Sequence, residues 1–143
     1  MIYLAQPENF NPLFEVVSCF CEHDGKILLL HREKHKSQPD TWGAPAGKIE
    51  KNETPHQAII REILEETGLS ISLENLTLHR KIFVRYESHD FIYYIFHTQI
   101  SHLSTIKISA LEHQNFCWKT PQDALKLPLV QDMDACIKLF FKI

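Results

Sequence analysis

Residues 47–69 read GKIEKNETPHQAIIREILEETGL, and the second half of this stretch is a helix with both ends marked. Thr54 is a candidate N-cap, Pro55 falls at the first helical position, and Gln57 completes a capping box. The helix is predicted to run to about Thr67, where Gly68 supplies the stop. At about 100° per residue, Ile60, Ile63, Leu64 and Thr67 share one arc, the predicted core face. Glu62, Glu65 and Glu66 fall on nearly the opposite arc. Ala58 lies one turn earlier on that side, and Arg61 sits beside Glu65 at the i, i+4 spacing. A solvated face is the ordinary reading of such charges, but two physical effects oppose it. The carboxylates repel one another at i, i+3 and i, i+4 by a few tenths of a kcal/mol per pair. They also occupy the C-terminal half, where the helix dipole disfavours negative charge by roughly 0.3–1 kcal/mol per group. A bound divalent cation reverses both effects, and hard oxygen donors suit Mg²⁺, with Mn²⁺ as the alternative.

Outward from this helix the chain reads as strands. Leu13–Cys21 is apolar and β-branched, Asp24-Gly25 is a hairpin turn, and Lys26–Leu30 is the returning strand. His31 to Thr41 is polar, holds Pro39, and reads as a loop. Downstream, Leu76–Tyr86 and Phe91–Ile100 are predicted strands joined by a turn over Glu87–Asp90. Phe116–Trp118 is a short strand, Thr120-Pro121 opens a short helix, and an amphipathic helix covers about Val130 to Phe140. Strands interleaved with a central and a terminal helix predict an α/β or α+β sandwich. With no repeat, linker or low-complexity tract, residues 1–143 read as one domain.

The totals narrow the function classes. The formal net charge of −3 gives no basic footprint for a nucleic-acid backbone. No apolar run approaches the ~18–20 residues of a membrane helix, and Met1 to Phe10 does not resemble a signal peptide. Cys19, Cys21, Cys117 and Cys136 form no Cys-x-x-Cys pair, so free thiols in a reducing cytoplasm are expected. His31 and His35 stand four apart, but in a loop without partner cysteines, and are not read as a zinc site.

Taken as a pattern, the opening stretch runs Gly47, five residues, Glu53, seven residues, then Arg61-Glu62-Ile63-Leu64-Glu65-Glu66-Thr67-Gly68-Leu69. This resembles the Nudix box, G-x5-E-x7-R-E-U-x-E-E-x-G-U with U aliphatic, at every defined position. Seven fixed identities coincide by chance roughly once in a million chains of this length. Trp42-Gly43-Ala44-Pro45-Ala46 is similar to the Trp-x-x-Pro-Gly segment that often precedes the box, with Ala46 in place of the commoner glycine. Downstream, Trp118 before a short helix also resembles the family layout.

The resemblance implies an α/β/α sandwich around a mixed sheet, with the box as a loop–helix–loop. It implies that Glu62, Glu65 and Glu66 hold one or more Mg²⁺ ions, with the carbonyl of Ala46 or Gly47 as a further ligand. Arg61 would orient a glutamate by a charge-assisted hydrogen bond. Glu53 would act from behind the ligands or through water on the ion. Gly47 and Gly68 look like backbone necessities, one for a close approach and one for a left-handed turn. The implied reaction is hydrolysis of a diphosphate linkage in a nucleotide, with a carboxylate taking the proton from water. In some members that carboxylate corresponds to Glu62; in others it comes from a loop after the box. The distal candidate here is Glu112, ahead of Glu87 and Asp90 in the hairpin turn.

Lys48 and Arg32 are candidate phosphate contacts, and Tyr86 is a candidate substrate contact. Phe83, Tyr93, Tyr94, Trp42 and Trp118 suit base stacking, though packing on a sheet is their commoner role. The short chain and Trp-x-x-Pro-x-Gly-Lys resemble MutT-type nucleoside triphosphate pyrophosphohydrolases. Dinucleoside polyphosphate and nucleotide-sugar or ADP-ribose hydrolases are the alternatives, as is a non-catalytic nucleotide sensor. The partner expected is a small nucleotide, acted on by a monomer or homodimer, with no nucleic acid and no membrane.

Overall fold

The computed structural model describes residues 1–143. Its eight strands are β1 (Ile2–Tyr3), β2 (Pro12–His23), β3 (Lys26–Arg32), β4 (Trp42–Gly43), β5 (Ala46–Lys48), β6 (Leu76–Arg85), β7 (Asp90–Gln99) and β8 (His113–Lys119). The helices are α1 (Pro55–Thr67), α2 (Pro121–Ala124) and α3 (Met133–Phe141), with a 3₁₀ turn at Leu73–Asn75. The strand order is β1-β6-β7-β2-β3-β4, with β5 on β2 and β8 on β3. The sheet is mixed: β2 and β7 run parallel, whereas β6 and β7 form the antiparallel pair foreseen from their sequence.

A fork in this sheet prepares the site. Asp24 and Gly25 both adopt positive φ, as a two-residue hairpin turn needs. The β2–β3 ladder then holds only at its tip, where Glu22 faces Ile27 and His23 faces Lys26. Below the tip β2 turns to β5, pairing Val16 with Lys48, Val17 with Gly47 and Ser18 with Ala46. β3 turns instead to β4 and β8.

Two apolar layers flank the sheet. On one side Val17, Cys19, Cys21, Leu28, Leu30 and Phe96 pack against Ala58, Ile59 and Ile63 of α1. On the other side Phe20, Leu29, Ile82 and Ile95 pack against Met133, Cys136 and Ile137 of α3. Each fully enclosed aliphatic side chain contributes roughly 1.5–3 kcal/mol. The predicted α/β/α sandwich is therefore observed, and Cys19, Cys21, Cys117 and Cys136 are unpaired thiols. No helix is long and apolar enough to cross a membrane.

α1 begins and ends as its sequence dictates. Thr54 Oγ1 accepts the Gln57 N–H at 3.1 Å, and Gln57 Oε1 accepts the Thr54 N–H at 2.9 Å. Gly68 closes the helix at φ 77°. Its buried face differs from the predicted one. Leu64 is 53% exposed, while Ala58, Ile59, Ile63, Glu66 and Thr67 are buried. The helix is thus rolled so that Glu66 enters the interior. Apolar periodicity alone misses this, because the inward stripe contains a carboxylate.

Asp90 belongs to the frame. Arg85 donates to both its oxygens at 2.8 and 3.0 Å, and the Asn11 N–H donates at 3.0 Å. Its carboxyl is lowered to about 2, with the Arg85 hydrogen bonds as the main cause. A depressed carboxylate stabilises the fold above its ordinary value of 3.8 and loses that effect as pH falls through about 2. Asp90→Asn is therefore expected to lower the melting temperature at about pH 5–7, where both partners are charged. The gap to the native protein should close as pH is taken below about 4. Melting curves against pH check this, and a gap independent of pH would contradict it.

Candidate active site

The site is assembled where α1 crosses β5 beside the fork. Glu66 is only 4% exposed, and its Oε1 accepts the Ala46 N–H at 3.0 Å. Glu62, one turn earlier, brings its carboxylate over the Cα of Gly47. A Cβ at position 47 would fall directly on that carboxylate, nearer than non-bonded atoms approach. Gly47 is therefore required by close approach, as its sequence position implied. Glu65 is the outlying acid of the three, with its side chain 58% exposed.

Arg61 holds this arrangement from behind. Its Nε and Nη2 donate to the two Glu53 oxygens at 2.7 and 3.0 Å. Nη1 donates to Glu62 Oε1 at 2.8 Å, and Nη2 donates to the Lys48 carbonyl at 3.1 Å. The contact expected from helical spacing, to Glu65, is the longest at 3.3 Å. Glu53 Oε1 also accepts the Glu50 N–H at 2.9 Å. Arg61 thus ties the Lys48–Glu53 loop to the helix and fixes Glu62. The hydrogen bonds with Glu53 raise the guanidinium above its ordinary value and, reciprocally, lower the Glu53 carboxyl.

Lysine cannot reproduce this planar fork. Arg61→Lys is expected to destabilise the protein by about 2 kcal/mol through the lost charge-assisted bonds. Denaturant unfolding measures this, and unchanged stability would remove Arg61 from its place as the hub.

Glu112 arrives from a distant part of the chain. The Glu112 and His113 N–H groups both donate to the Ser109 carbonyl, at 3.1 and 2.9 Å, forming a tight turn before β8. The loop after β3 grips that turn. The Glu33 N–H donates to the Glu112 carbonyl at 2.9 Å, a His35 ring nitrogen lies 3.1 Å from the Leu111 carbonyl, and Gln114 Nε2 donates to the Arg32 carbonyl at 2.9 Å. As a result, one oxygen of Glu66, one of Glu112 and a ring nitrogen of His113 lie within 4.8 Å of one another.

The electrostatics are those of crowded acids. Burial pushes the Glu66 carboxyl well above its ordinary value; the Ala46 N–H opposes this, and Glu62 and Glu112 add to it. Burial also raises Glu62, against the pull of Arg61 and with help from Glu65 and Glu112. Burial lowers the His113 imidazole. Arg61 is already engaged with Glu53 and Glu62, so these oxygens form a donor set that fits a hard divalent cation.

A cleft of about 890 Å³ opens beside these residues. Ala46, Gly47, Lys48, Arg32, Glu62, Glu66 and Glu112 all line it, as does Tyr86. Its lining includes an aromatic shelf, with Phe14 stacked on Phe91 at 5.3 Å and His89 at 5.4 Å from Phe14. Lys48 Nζ sits 4.2 Å above the Phe14 ring. Arg32 donates to the carbonyl and hydroxyl of Ser37 at 2.7 and 3.1 Å. Tyr86 donates to the Gln131 carbonyl at 3.4 Å, and burial raises its hydroxyl to about 12.

Asp90, engaged by Arg85, does not join the cleft lining, and neither does Glu87. Of the other aromatics, Tyr93 lines the cleft, Trp42 stacks on His31, and Tyr94 donates to Glu15 at 2.8 Å. Sequence reasoning missed His113 and the Phe14–His89–Phe91 shelf. Adjacency to Glu112 was the only signal for His113, and alternation along β2 and β7 does not say which strands meet.

Fold and site define a class: a mixed-sheet α/β/α protein whose acidic loop–helix–loop faces a cleft of small-molecule size. The sequence model of the NUDIX domain family matches residues 12–140. The chain is 34% identical over 121 residues to a CTP pyrophosphohydrolase of Escherichia coli, covering 82% of this chain and 83% of that protein. It is 26% identical over 136 residues to a dihydroneopterin triphosphate diphosphatase of Haemophilus influenzae, covering 87% and 84% of the two chains. The solution structure of the E. coli ORF135 protein superposes with a TM-score of 0.74 at 27% identity, covering 96% of this chain and 94% of that one. The chain belongs to the Nudix family of phosphoanhydride hydrolases.

Proposed function

We propose that this protein is a Mg²⁺-dependent nucleoside triphosphate pyrophosphohydrolase of the MutT type, working as one Nudix domain over residues 1–143 in the cytoplasm. The observation that carries the reading is a single cleft lined both by the crowded carboxylates and by an aromatic shelf. Its volume of about 890 Å³ is within the usual range for a small-molecule site. The similarity to a CTP pyrophosphohydrolase over most of both chains favours a triphosphate over a dinucleoside polyphosphate or ADP-ribose.

In this reading Glu62, Glu65 and Glu66 hold the ion, with a backbone carbonyl of Ala46 or Gly47. When bound, Mg²⁺ neutralises diphosphate oxygens and acidifies water. Glu112 or Glu62 takes the proton from the attacking water. Arg61 keeps Glu62 aimed, and Glu53 keeps Arg61 aimed. Lys48 and Arg32 contact the phosphates, while Phe14, His89, Phe91 and Tyr86 shelter the base from water.

The test is product analysis across nucleoside triphosphates, a dinucleoside tetraphosphate and ADP-ribose, with Mg²⁺ and with chelator. The expected result is nucleoside monophosphate plus pyrophosphate from triphosphates, abolished by chelator. Cleavage confined to the dinucleoside tetraphosphate or ADP-ribose would reassign the substrate class. Tight nucleotide binding with no cleavage of any compound would make the chain a sensor.

A further inference from the structure

His113 stands at the meeting point of the three elements that build the acidic site. It pairs with Arg32 across β3, follows Glu112 directly, and lines the cleft that Glu62 and Glu66 enter from α1. It is 6% exposed, and its Nδ1 is fully enclosed without a hydrogen-bond partner. Buried polar atoms are nearly always paired, so an orphaned ring nitrogen in a rigid strand needs an explanation. Beside this, one ring nitrogen of His113, one oxygen of Glu66 and one of Glu112 lie within 4.8 Å of one another, the space that a cation with its ligands occupies.

We propose that His113, beside Glu112, supplies a nitrogen ligand to the divalent ion that Glu66 holds, which raises this cleft's affinity for Mn²⁺ above that of an all-oxygen site. The proposal rests on the metal-dependent reading above and adds one ligand to it. Mg²⁺ takes oxygen ligands and gains little from imidazole, whereas affinity for nitrogen rises along the first-row transition ions. A purely carboxylate site discriminates weakly between the two ions; one nitrogen donor shifts the balance towards Mn²⁺. Glu112 and His113 are neighbours in one tight turn, so the same backbone hydrogen bonds position both. His113 is here a ligand and takes no proton in the reaction.

The experiment uses the full chain loaded with Mn²⁺ and read by pulsed electron paramagnetic resonance, with natural-abundance protein compared with protein carrying ¹⁵N-histidine. The expected result is a directly coupled histidine nitrogen whose frequency changes with the label and which disappears in His113→Gln. Calorimetry on the same samples is expected to show Mn²⁺ affinity falling at least about tenfold in the variant, with a much smaller change for Mg²⁺. Mn²⁺ bound to the native protein without histidine coupling would overturn the proposal while leaving the metal-dependent hydrolase intact. Coupling that persists unchanged in His113→Gln would overturn the assignment to this residue. Failure of the native protein to bind either ion would overturn both readings. Because the labelled native protein alone can give the negative result, the test holds even if His113→Gln does not fold.

Discussion

Glu66→Gln is expected to lower kcat/KM for nucleotide hydrolysis by at least about 10²–10³-fold while raising the melting temperature of the metal-free protein. Both effects come from the same burial. Glu66 is 4% exposed, its carboxyl is pushed well above the ordinary value, and Glu62 and Glu112 oppose its ionisation. An acid whose folded-state value is raised stabilises the fold while protonated, and that contribution is lost as pH rises through the folded value. The metal-free native protein should therefore lose stability from about pH 4.5 upward. Glutamine keeps an oxygen for the Ala46 N–H and carries no charge, so the variant should show a shallower decline. Glu62, raised in the same direction, leaves some of it in place. Added Mg²⁺ should raise the native melting temperature and leave the variant nearly unmoved. Melting curves with and without Mg²⁺ from pH 5 to 8 (about the usual stable range), with turnover at one pH, measure all of this. A variant that is less stable than native without metal would refute the account of a strained, buried carboxylate.

The exposure of the three helix acids shows where sequence reading stopped. The capping box at Thr54, the stop at Gly68 and the spacing of Arg61, Glu62, Glu65 and Glu66 are local, so the chain states them directly. The helix's orientation is set by what it packs against. Treating Leu64 as core and Glu66 as surface reversed both, because the Ala46 strand and the distal Glu112 turn make an interior place for a carboxylate. Likewise, β6 and β7 were legible as strands, but the parallel β2–β7 pairing that closes the sheet spans dozens of residues and leaves no periodic signature. Glu112 was reachable only through the family resemblance. His113 was not reachable, because its significance lies in an unpaired nitrogen and a neighbour 47 positions away, Glu66.

Gly47→Ala is expected to lower kcat/KM by about 10²-fold with the fold retained, the loss that a displacement of about 1 Å in a reacting group produces. The argument is steric. Gly47 pairs with Val17 in β5, and its backbone carries no positive φ, so alanine is allowed by the main chain. The obstacle is the Glu62 carboxylate, which occupies the space a methyl group would take. A glutamate tip can move, so the helix and sheet need not yield, and stability should change little. But Glu62 is held at 2.8 Å by Arg61, which is itself clamped by both oxygens of Glu53. Pushing Glu62 aside therefore breaks its alignment with Glu66 or pulls Arg61 from Glu53. Ion affinity and turnover should fall together, while far-ultraviolet circular dichroism and the metal-free melting temperature stay near native. If Gly47→Ala instead unfolds the protein, the glycine serves strand packing. If it leaves turnover unchanged, Glu62 does not need the position it holds over this strand.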